Sequence, residues 1–288
     1  MRLHRIAGIF SLTLALVIGL SWPAQAQSRF GLKISGGLGT FLANEANEGN
    51  KGLLDGWATE FQVDYGYTAS GKYKPFHLGF EAGVDLIFYL TPNVGLGIGG
   101  GYLESFSKSI VNLTKGSDTG TITSKPHVSA VPLRASLYLS LPLGTSASLV
   151  LQGGAGYYLA HYEDDFTIEE GLYWLDLVNK ANATGIGFHG GLGVEVNFGP
   201  NFALVLEAQA RSAVISGFEG TFEYSDSSAN YFSEQGKLYF IKAVDPLGTF
   251  SIIEVYATPP SGADILDQHE AKIDLSGFSA RAGFIFRF

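Results

Sequence analysis

The sequence predicts an all-β protein, an up-and-down antiparallel β-barrel of eight strands that crosses a membrane. Three observations lead to this prediction. Apolar residues alternate with polar or small residues over long segments, and helical periodicity is almost absent. Short and long connections between these segments alternate along the chain. Only 16% of the 288 residues are charged and 38 are glycine, which is unusual for a soluble domain.

Composition excludes several classes of protein. The chain has no cysteine, which excludes disulfide scaffolds, thiolate metal sites and cysteine nucleophiles. The formal net charge of −9 argues against a nucleic-acid surface, because binding to phosphates relies on clustered Lys and Arg. Aromatic residues reach 13%, too many for an intrinsically disordered chain. We expect no cofactor.

The N-terminus has the organisation of a secretory signal peptide. A start containing two arginines precedes an apolar run over 6–20, and a small-x-small cleavage motif ends at Ala26. The apolar run is too short to span a bilayer as a helix. We therefore predict a signal peptide over residues 1–26 and a single barrel domain over 27–288.

Eight segments of the remaining chain have a two-residue period, and the clearest places every even-numbered residue from Phe76 to Leu90 on an apolar face. The predicted strands are 29–42, 76–90, 94–102, 131–141, 149–162, 186–198, 202–211 and 272–288. Turn signals at 91–93, 144–146 and 199–201 join strands two to three, four to five and six to seven.

The other four connections are long, over 43–75, 105–126, 163–184 and 218–271. Tight turns at one end and long connections at the other are the layout of outer-membrane barrels, with short periplasmic turns and long extracellular loops. The apolar face carries few charges, whereas the opposite face mixes charges with glycine, which suits a narrow interior. Closure is expected because an open strand edge in hydrocarbon would leave backbone groups unpaired.

Two long connections contain further patterns. Residues 169–182 predict a short amphipathic helix, which we interpret as a lid on the barrel mouth, with a ligand contact as the alternative. Residues 238–256 predict a hairpin around a turn from Asp245 to Gly248. We favour an extracellular extension for this hairpin. If both of its arms crossed the bilayer, the barrel would instead have ten strands.

Charged residues on the predicted inner face are close to balanced in sign, which favours internal ion pairs in a closed lumen. A narrow gated pore is the alternative, since an eight-stranded barrel is just wide enough for side chains to fill. This predicted lumen charge network consists of Lys33, Glu81, Asp85, Arg134, Glu195, Glu207, Arg211 and Arg281, with Arg287 at the wetter rim.

Catalytic patterns are weak. Residues 95–100 fit GxGxxG but lead into a strand, with no helix to hold a pyrophosphate. His161 lies beside Glu163, Asp164 and Asp165, which we interpret as a solvated rim in preference to a catalytic or calcium site. We therefore predict no catalytic residues, no metal site and no enzymatic activity. A lipid A-modifying enzyme or surface protease is the less favoured alternative.

Three segments are informative about the family: Leu90-Thr91-Pro92-Asn93-Val94-Gly95-Leu96-Gly97, Gly153-Gly154-Ala155-Gly156-Tyr157-Tyr158 and the C-terminal segment from Arg281 to Phe288. In these segments the chain resembles the small outer-membrane β-barrel family of the OmpA/OmpW type. That last segment matches the family's assembly signal at Arg281, Gly283, Phe286 and Phe288.

The resemblance implies a monomeric barrel in a Gram-negative outer membrane. Its partners would be outer-membrane lipid, periplasmic chaperones and the barrel assembly machinery that reads the C-terminal signal, and no nucleic acid. We expect a structural or surface-interaction role through extracellular loops. The alternative is a narrow porin-like channel for small or hydrophobic solutes, because the family spans many activities.

Overall fold

The computed structural model describes residues 29–288, so the predicted signal peptide lies outside the described residues. The described chain folds into one helix and sixteen strands. The helix is α1 (Asn44–Val63), and the strands are β1 (Phe30–Thr40), β2 (Thr68–Gly71), β3 (Leu78–Thr91), β4 (Val94–Phe106), β5 (Ser109–Lys115), β6 (Asp118–Pro142), β7 (Ala147–Glu170), β8 (Tyr173–Asn197), β9 (Phe202–Ser212), β10 (Val214–Ile215), β11 (Glu219–Asp226), β12 (Tyr231–Asp245), β13 (Gly248–Tyr256), β14 (Ile265–Glu270), β15 (Ile273–Asp274) and β16 (Gly277–Arg287).

Eight of these strands form a closed ring of antiparallel pairings. The order is β1, β3, β4, β6, β7, β8, β9 and β16, and β16 pairs again with β1. Each of the eight predicted segments overlaps one strand of this ring. The predicted all-β, antiparallel class is confirmed.

The two faces of the ring differ as the two-residue period requires. Outward-facing apolar side chains are well exposed, among them Leu38 at 71%, Ile98 at 66% and Phe188 at 64%. Inward-facing side chains such as Lys33 and Glu81 are buried. This apolar outer surface is the reverse of a sheet that turns its polar face to water.

The outer face changes from apolar to polar partway along three ring strands. On β7 the change falls between Leu159 and His161, on β6 between Val131 and Ser129, and on β8 between Ile186 and Thr184. Strands β6, β7 and β8 contain 25, 24 and 25 residues, whereas about 9–11 suffice to cross a bilayer. Their second portions therefore continue well beyond the apolar band.

Beyond the band these strands form part of a second structure, which we call the extension: α1, β2, β5, β11–β14 and the portions of β6–β8 beyond the apolar band. Strand β5 pairs with β6, and β11 joins β8 to β12. Helix α1 packs against β13, β6 and β2. The helix and the strands share a continuous hydrophobic core. It includes Leu54 and Phe61 of α1, Ile122 of β6, Phe166 of β7 and Ile253 of β13.

The long connections are thus largely regular structure, which corrects two expectations. The predicted helix over 169–182 is wrong, because β7 and β8 continue through this region and meet at the turn Gly171–Leu172. Helix α1 lies in the connection 43–75, where the sequence analysis predicted no helix. Within residues 29–288, no helix is both long enough and apolar enough to cross a membrane.

The predicted hairpin over 238–256 is confirmed as β12 and β13. Its turn is closed by Asp245, whose Oδ1 accepts hydrogen bonds from the backbone N–H groups of Leu247 and Gly248, each at 2.8 Å. Gly248 has φ 143°, a conformation that favours glycine. The two strands pair with each other and with β11 and β14, and with no strand of the ring among the described residues.

Candidate functional site

All the charged residues that the sequence assigned to the lumen network are buried within the ring. Their exposed fractions do not exceed 9%. The set comprises Lys33, Glu81, Asp85, Arg134, Glu195, Glu207, Arg211 and Arg281.

Five of them form one chain of ion pairs across β1, β9, β16 and β3. Lys33 Nζ lies 2.5 Å from Glu207 Oε2, and Arg281 pairs with the other oxygen of Glu207. Arg281 and Arg211 both approach Glu81 Oε2, at 3.9 and 3.4 Å. Strand register explains the centre of this chain, because Arg281 and Glu207 are direct Cα partners on β16 and β9. Each carboxylate therefore contacts two cations.

A separate buried pair joins Arg134 and Asp85, whose Nη2 and Oδ1 atoms are 3.3 Å apart. Glycine leaves the space that this pair occupies. A Cβ at Gly83 would lie 2.5 Å from Arg134 Nη2, and one at Gly99 would lie 2.1 Å from Asp85 Oδ1. At Gly83 and Gly99 the absence of a side chain thus leaves the volume that the ion pair fills.

Further layers of packed side chains lie on both sides of the ion pairs. Toward the tight turns, Ile87, Tyr138 and Val150 form a buried apolar cluster. Beyond this cluster, Arg287 pairs with Glu195 and donates to Asn197 Oδ1 at 2.8 Å. Toward the extension, the guanidinium of Arg211 stacks 5.0 Å from the ring centre of Phe41, which belongs to the large hydrophobic core.

The lumen also contains a serine–histidine pair that the sequence analysis missed. Ser136 Oγ and His189 Nε2 are 2.8 Å apart, on strands separated by Gly154 of β7. His189 Nδ1 has no hydrogen-bond partner among the described residues. Within residues 29–288 no carboxylate accepts a hydrogen bond from the imidazole, and both side chains are buried.

The predicted rim group around His161 is divided between two faces of β7. Asp164 points inward and is 1% exposed, whereas His161 and Glu163 lie on the outer face. There the structure adds His127 of β6, the direct Cα partner of Glu163. One ligand-type atom from each of His127, His161 and Glu163 lies within 4.8 Å of those of the other two.

Residues 95–100, which fit GxGxxG, lie within β4 and continue as strand. No helix follows them, so the motif lacks the helix N-terminus that would hold a phosphate. The position of residues 95–100 within a strand agrees with the prediction that they do not bind a dinucleotide.

The geometry is that of a ring of strands with an apolar exterior and paired charges inside. The profile of the outer membrane protein beta-barrel domain family matches residues 12–233, more than half of the chain. The chain belongs to this family. The predicted location in the outer membrane is thereby confirmed. No curated protein matches the sequence.

Three solved structures of outer-membrane proteins show distant similarity. Outer membrane protein OprG from Pseudomonas aeruginosa is 10% identical, with 92% of this chain and 99% of that chain covered and a TM-score of 0.37. Outer membrane protease OmpT from Escherichia coli is 8% identical, with 93% and 99% covered and a TM-score of 0.28. The translocator domain of autotransporter NalP from Neisseria meningitidis is 12% identical, with 98% and 96% covered and a TM-score of 0.20. Because the sequence identities and TM-scores are this low, we assign no activity of these proteins to this chain.

This outer-membrane barrel protein also carries a buried carboxyl group in the extension, above the apolar band. Burial raises the pKa of Asp164 to about 7, although the hydrogen bond from Ser124 partly opposes the rise. Asp164 Oδ2 has no partner among the described residues. Buried polar groups of α1 lie on the same core, where Asn50 Oδ1 accepts a hydrogen bond from Tyr162 at 2.9 Å.

Proposed function

We propose that this protein is a closed eight-stranded outer-membrane barrel with a structural or surface-interaction role, and that it presents the extension outside the cell. The packing of side chains inside the ring supports the proposal. Paired charges occupy its middle, and apolar layers lie on both sides of them. A solute could pass only by breaking buried ion pairs, which is costly when one partner is left uncompensated.

The eight-strand count rests on the cycle of pairings. An eight-stranded barrel is just wide enough for its interior to be filled by side chains, which fits the volume that the ion pairs occupy. Among residues 29–288 the hairpin of β12 and β13 pairs with strands of the extension alone, which argues against the ten-stranded alternative.

The orientation follows from the connections. Three tight turns, 92–93, 143–146 and 198–201, lie at the end of the ring opposite the extension. In outer-membrane barrels short turns are periplasmic and longer segments extracellular. The extension would therefore face outward, while the C-terminal strand with Arg281, Gly283, Phe286 and Phe288 would meet the barrel assembly machinery during insertion.

Exposed apolar residues at the far end of the extension support a surface-interaction role. Leu172 at the turn of β7 and β8 is 97% exposed, and Tyr231 is 69% exposed. Tyr173 and Trp174, which follow Leu172 in the chain, are 38% and 40% exposed, so the tip carries the kind of contiguous apolar patch that marks an interaction surface. In this proposal the protein is a monomer in outer-membrane lipid and performs no catalysis.

Single-channel recording in planar bilayers tests the closed lumen. We expect no discrete conductance steps from the purified protein, whereas a general porin reconstituted under the same conditions conducts. Discrete steps that depend on the protein would contradict the closed lumen and favour the narrow channel.

Incubation with labelled outer-membrane lipid and with a peptide library tests the enzyme alternatives. We expect no product from either substrate. Turnover that survives purification to homogeneity would overturn the non-enzymatic role.

A further inference from the structure

The outer wall of the barrel carries a cluster of potential metal ligands just above the apolar band. His127 on β6 lies directly opposite Glu163 on β7, and His161 is two residues from Glu163 along the same face. The side chains come from neighbouring strands of a continuous ladder, so their backbone positions are fixed. Ligand atoms of a tetrahedral Zn²⁺ site are about 3.4 Å apart, given bonds of roughly 2.1 Å. In the structure the three ligand atoms lie within 4.8 Å of one another, so each distance has to shorten by at most about 1.4 Å to reach that spacing.

Both imidazoles are held by a hydrogen-bond acceptor on one ring nitrogen. Asn182 Oδ1 accepts from His161 Nδ1 at 2.9 Å, which leaves the lone pair of His161 on Nε2. That Nε2 atom lies 3.7 Å from Glu163 Oε2. Glu104 Oε1 accepts from His127 Nε2 at 2.8 Å, which leaves the lone pair of His127 on Nδ1. Metal-binding histidines are commonly oriented by such acceptors.

The carboxylate of Glu163 is suited to a cation. Lys180 Nζ binds its Oε1 atom at 3.0 Å and leaves Oε2 facing His161. The ammonium of Lys180 beside Glu163 favours the charged carboxylate. The competing ammonium of Lys180 is itself half exposed and free to turn away.

We propose that His127, His161 and Glu163 form a binding site for one divalent transition-metal ion, on the outer wall of the barrel. Two imidazoles and one carboxylate suit Zn²⁺, Ni²⁺ or Cu²⁺ better than Mg²⁺ or Ca²⁺, which prefer oxygen ligands alone. Three protein ligands leave a fourth position open for water, as in zinc sites that are not purely structural. The site does not depend on whether the lumen conducts, so its test is separate from the conductance test.

Calorimetric titration of the full barrel in detergent with ZnCl₂, in metal-free buffer, tests the site. We expect one equivalent of Zn²⁺ to bind. His161→Asn and Glu163→Gln should each weaken binding by more than tenfold. Asn182→Leu, which removes only the orienting acceptor, should weaken it by about tenfold. Lys180→Met should strengthen it, because it removes the competing cation.

The matched control is His269→Asn, which changes a histidine of the extension that contacts Glu45 and Asp267 outside this cluster. It should bind Zn²⁺ like the unchanged protein. Heat-modifiable electrophoretic mobility shows that each variant is a folded barrel. With Cu²⁺ as the probe, electron paramagnetic resonance should show two coordinating nitrogens, reduced to one by His127→Asn. Absence of one-equivalent binding, or equal Zn²⁺ affinity in His161→Asn, Glu163→Gln and the unchanged protein, would overturn the proposal.

Discussion

At the scale of single residues, Arg281 links the two carboxylates at the centre of the buried chain of ion pairs. Its side chain is 2% exposed and pairs with both Glu207 and Glu81. Arg287 also has a carboxylate partner, Glu195, but its side chain is 17% exposed and lies at the periplasmic rim of the proposed orientation. Strand β16 therefore carries one arginine that is shielded from water and one that is partly exposed to it.

Arg281→Ala should destabilise the barrel more than Arg287→Ala. Removing Arg281 leaves two buried carboxylates short of a partner, at a cost of roughly 3–5 kcal/mol, whereas water can reach Glu195 when Arg287 is removed. Thermal unfolding of both variants in the same detergent measures the difference. Equal shifts in Tm would contradict this assignment of the interior.

Asp164→Asn should stabilise the protein in a pH-dependent manner. The folded-state pKa of about 7 lies above the ordinary value of about 4, so the folded protein holds this proton more tightly between these pH values. Stability of the unchanged protein therefore falls as pH rises from about 4 to 7. The variant should gain up to about 4 kcal/mol at pH 8 and little at pH 4.

Unfolding of the extension, followed at pH 4, 6 and 8, measures this effect. Asp176→Asn is the control, because it removes a carboxylate from the outer face of the neighbouring strand β8. A gain for Asp164→Asn that is the same at all three pH values would exclude titration of Asp164 as its cause.

The sequence could show which residues face inward, but not which of them meet. The two-residue period places Lys33 and Arg281 on the inner face without any knowledge of the fold. Their common partner Glu207 depends on the register of β16 against β9, which joins positions far apart in the chain. For the same reason the sequence does not show that His127 lies near His161, because the pairing of β6 with β7 brings them together.

At the scale of elements, the regions predicted as loops show how periodicity can be misread. In the second half of β7 and the first of β8, Ile168, Leu175 and Leu177 are buried at a period of two. That alternation was available in the sequence, but the polar residues among them suggested an amphipathic helix. Helix α1 was missed for the opposite reason, since only a few of its residues, such as Leu54 and Phe61, are apolar and buried.

Helix α1 should be needed for the extension and not for the ring. Leu54 is fully buried in the core that α1 shares with the sheet, so Leu54→Ala should cost about 2–5 kcal/mol there. Limited proteolysis should then cut the extension faster, while electrophoretic mobility shows a ring that remains folded. Lys51→Ala is the control, because its ion pair with Asp55 on the same helix is exposed and of little weight. Cleavage at the rate of the unchanged protein would show that α1 does not hold the extension together.

At the scale of the whole molecule, an apolar band and a polar extension divide the protein along the axis of the ring. Both tryptophans of the described chain, Trp57 of α1 and Trp174 of β8, lie in the extension. On the outer wall of the band, Leu206 of β9 is 56% exposed and faces the hydrocarbon in the proposed orientation.

Brominated acyl chains should therefore leave the native tryptophan fluorescence almost unchanged. Leu206→Trp, in protein that begins at residue 27, should add a component that these lipids quench strongly. Fluorescence of the reconstituted proteins in brominated and ordinary lipid measures both effects. Strong quenching of the native tryptophans would place the extension within the bilayer and contradict the division.

The two-residue turn at Gly171–Leu172 ends the pairing of β7 with β8, the longest strand pairing in the part of the chain that the structure describes. Gly171 has φ 58° and Leu172 has almost no neighbours, while the paired strands on either side remain bonded up to Glu170 and Tyr173. A short epitope tag inserted here would be carried at the far end of a stiff stalk without disturbing the residues beneath it. Antibody labelling of intact cells at this position would then report directly on which side of the envelope the stalk stands.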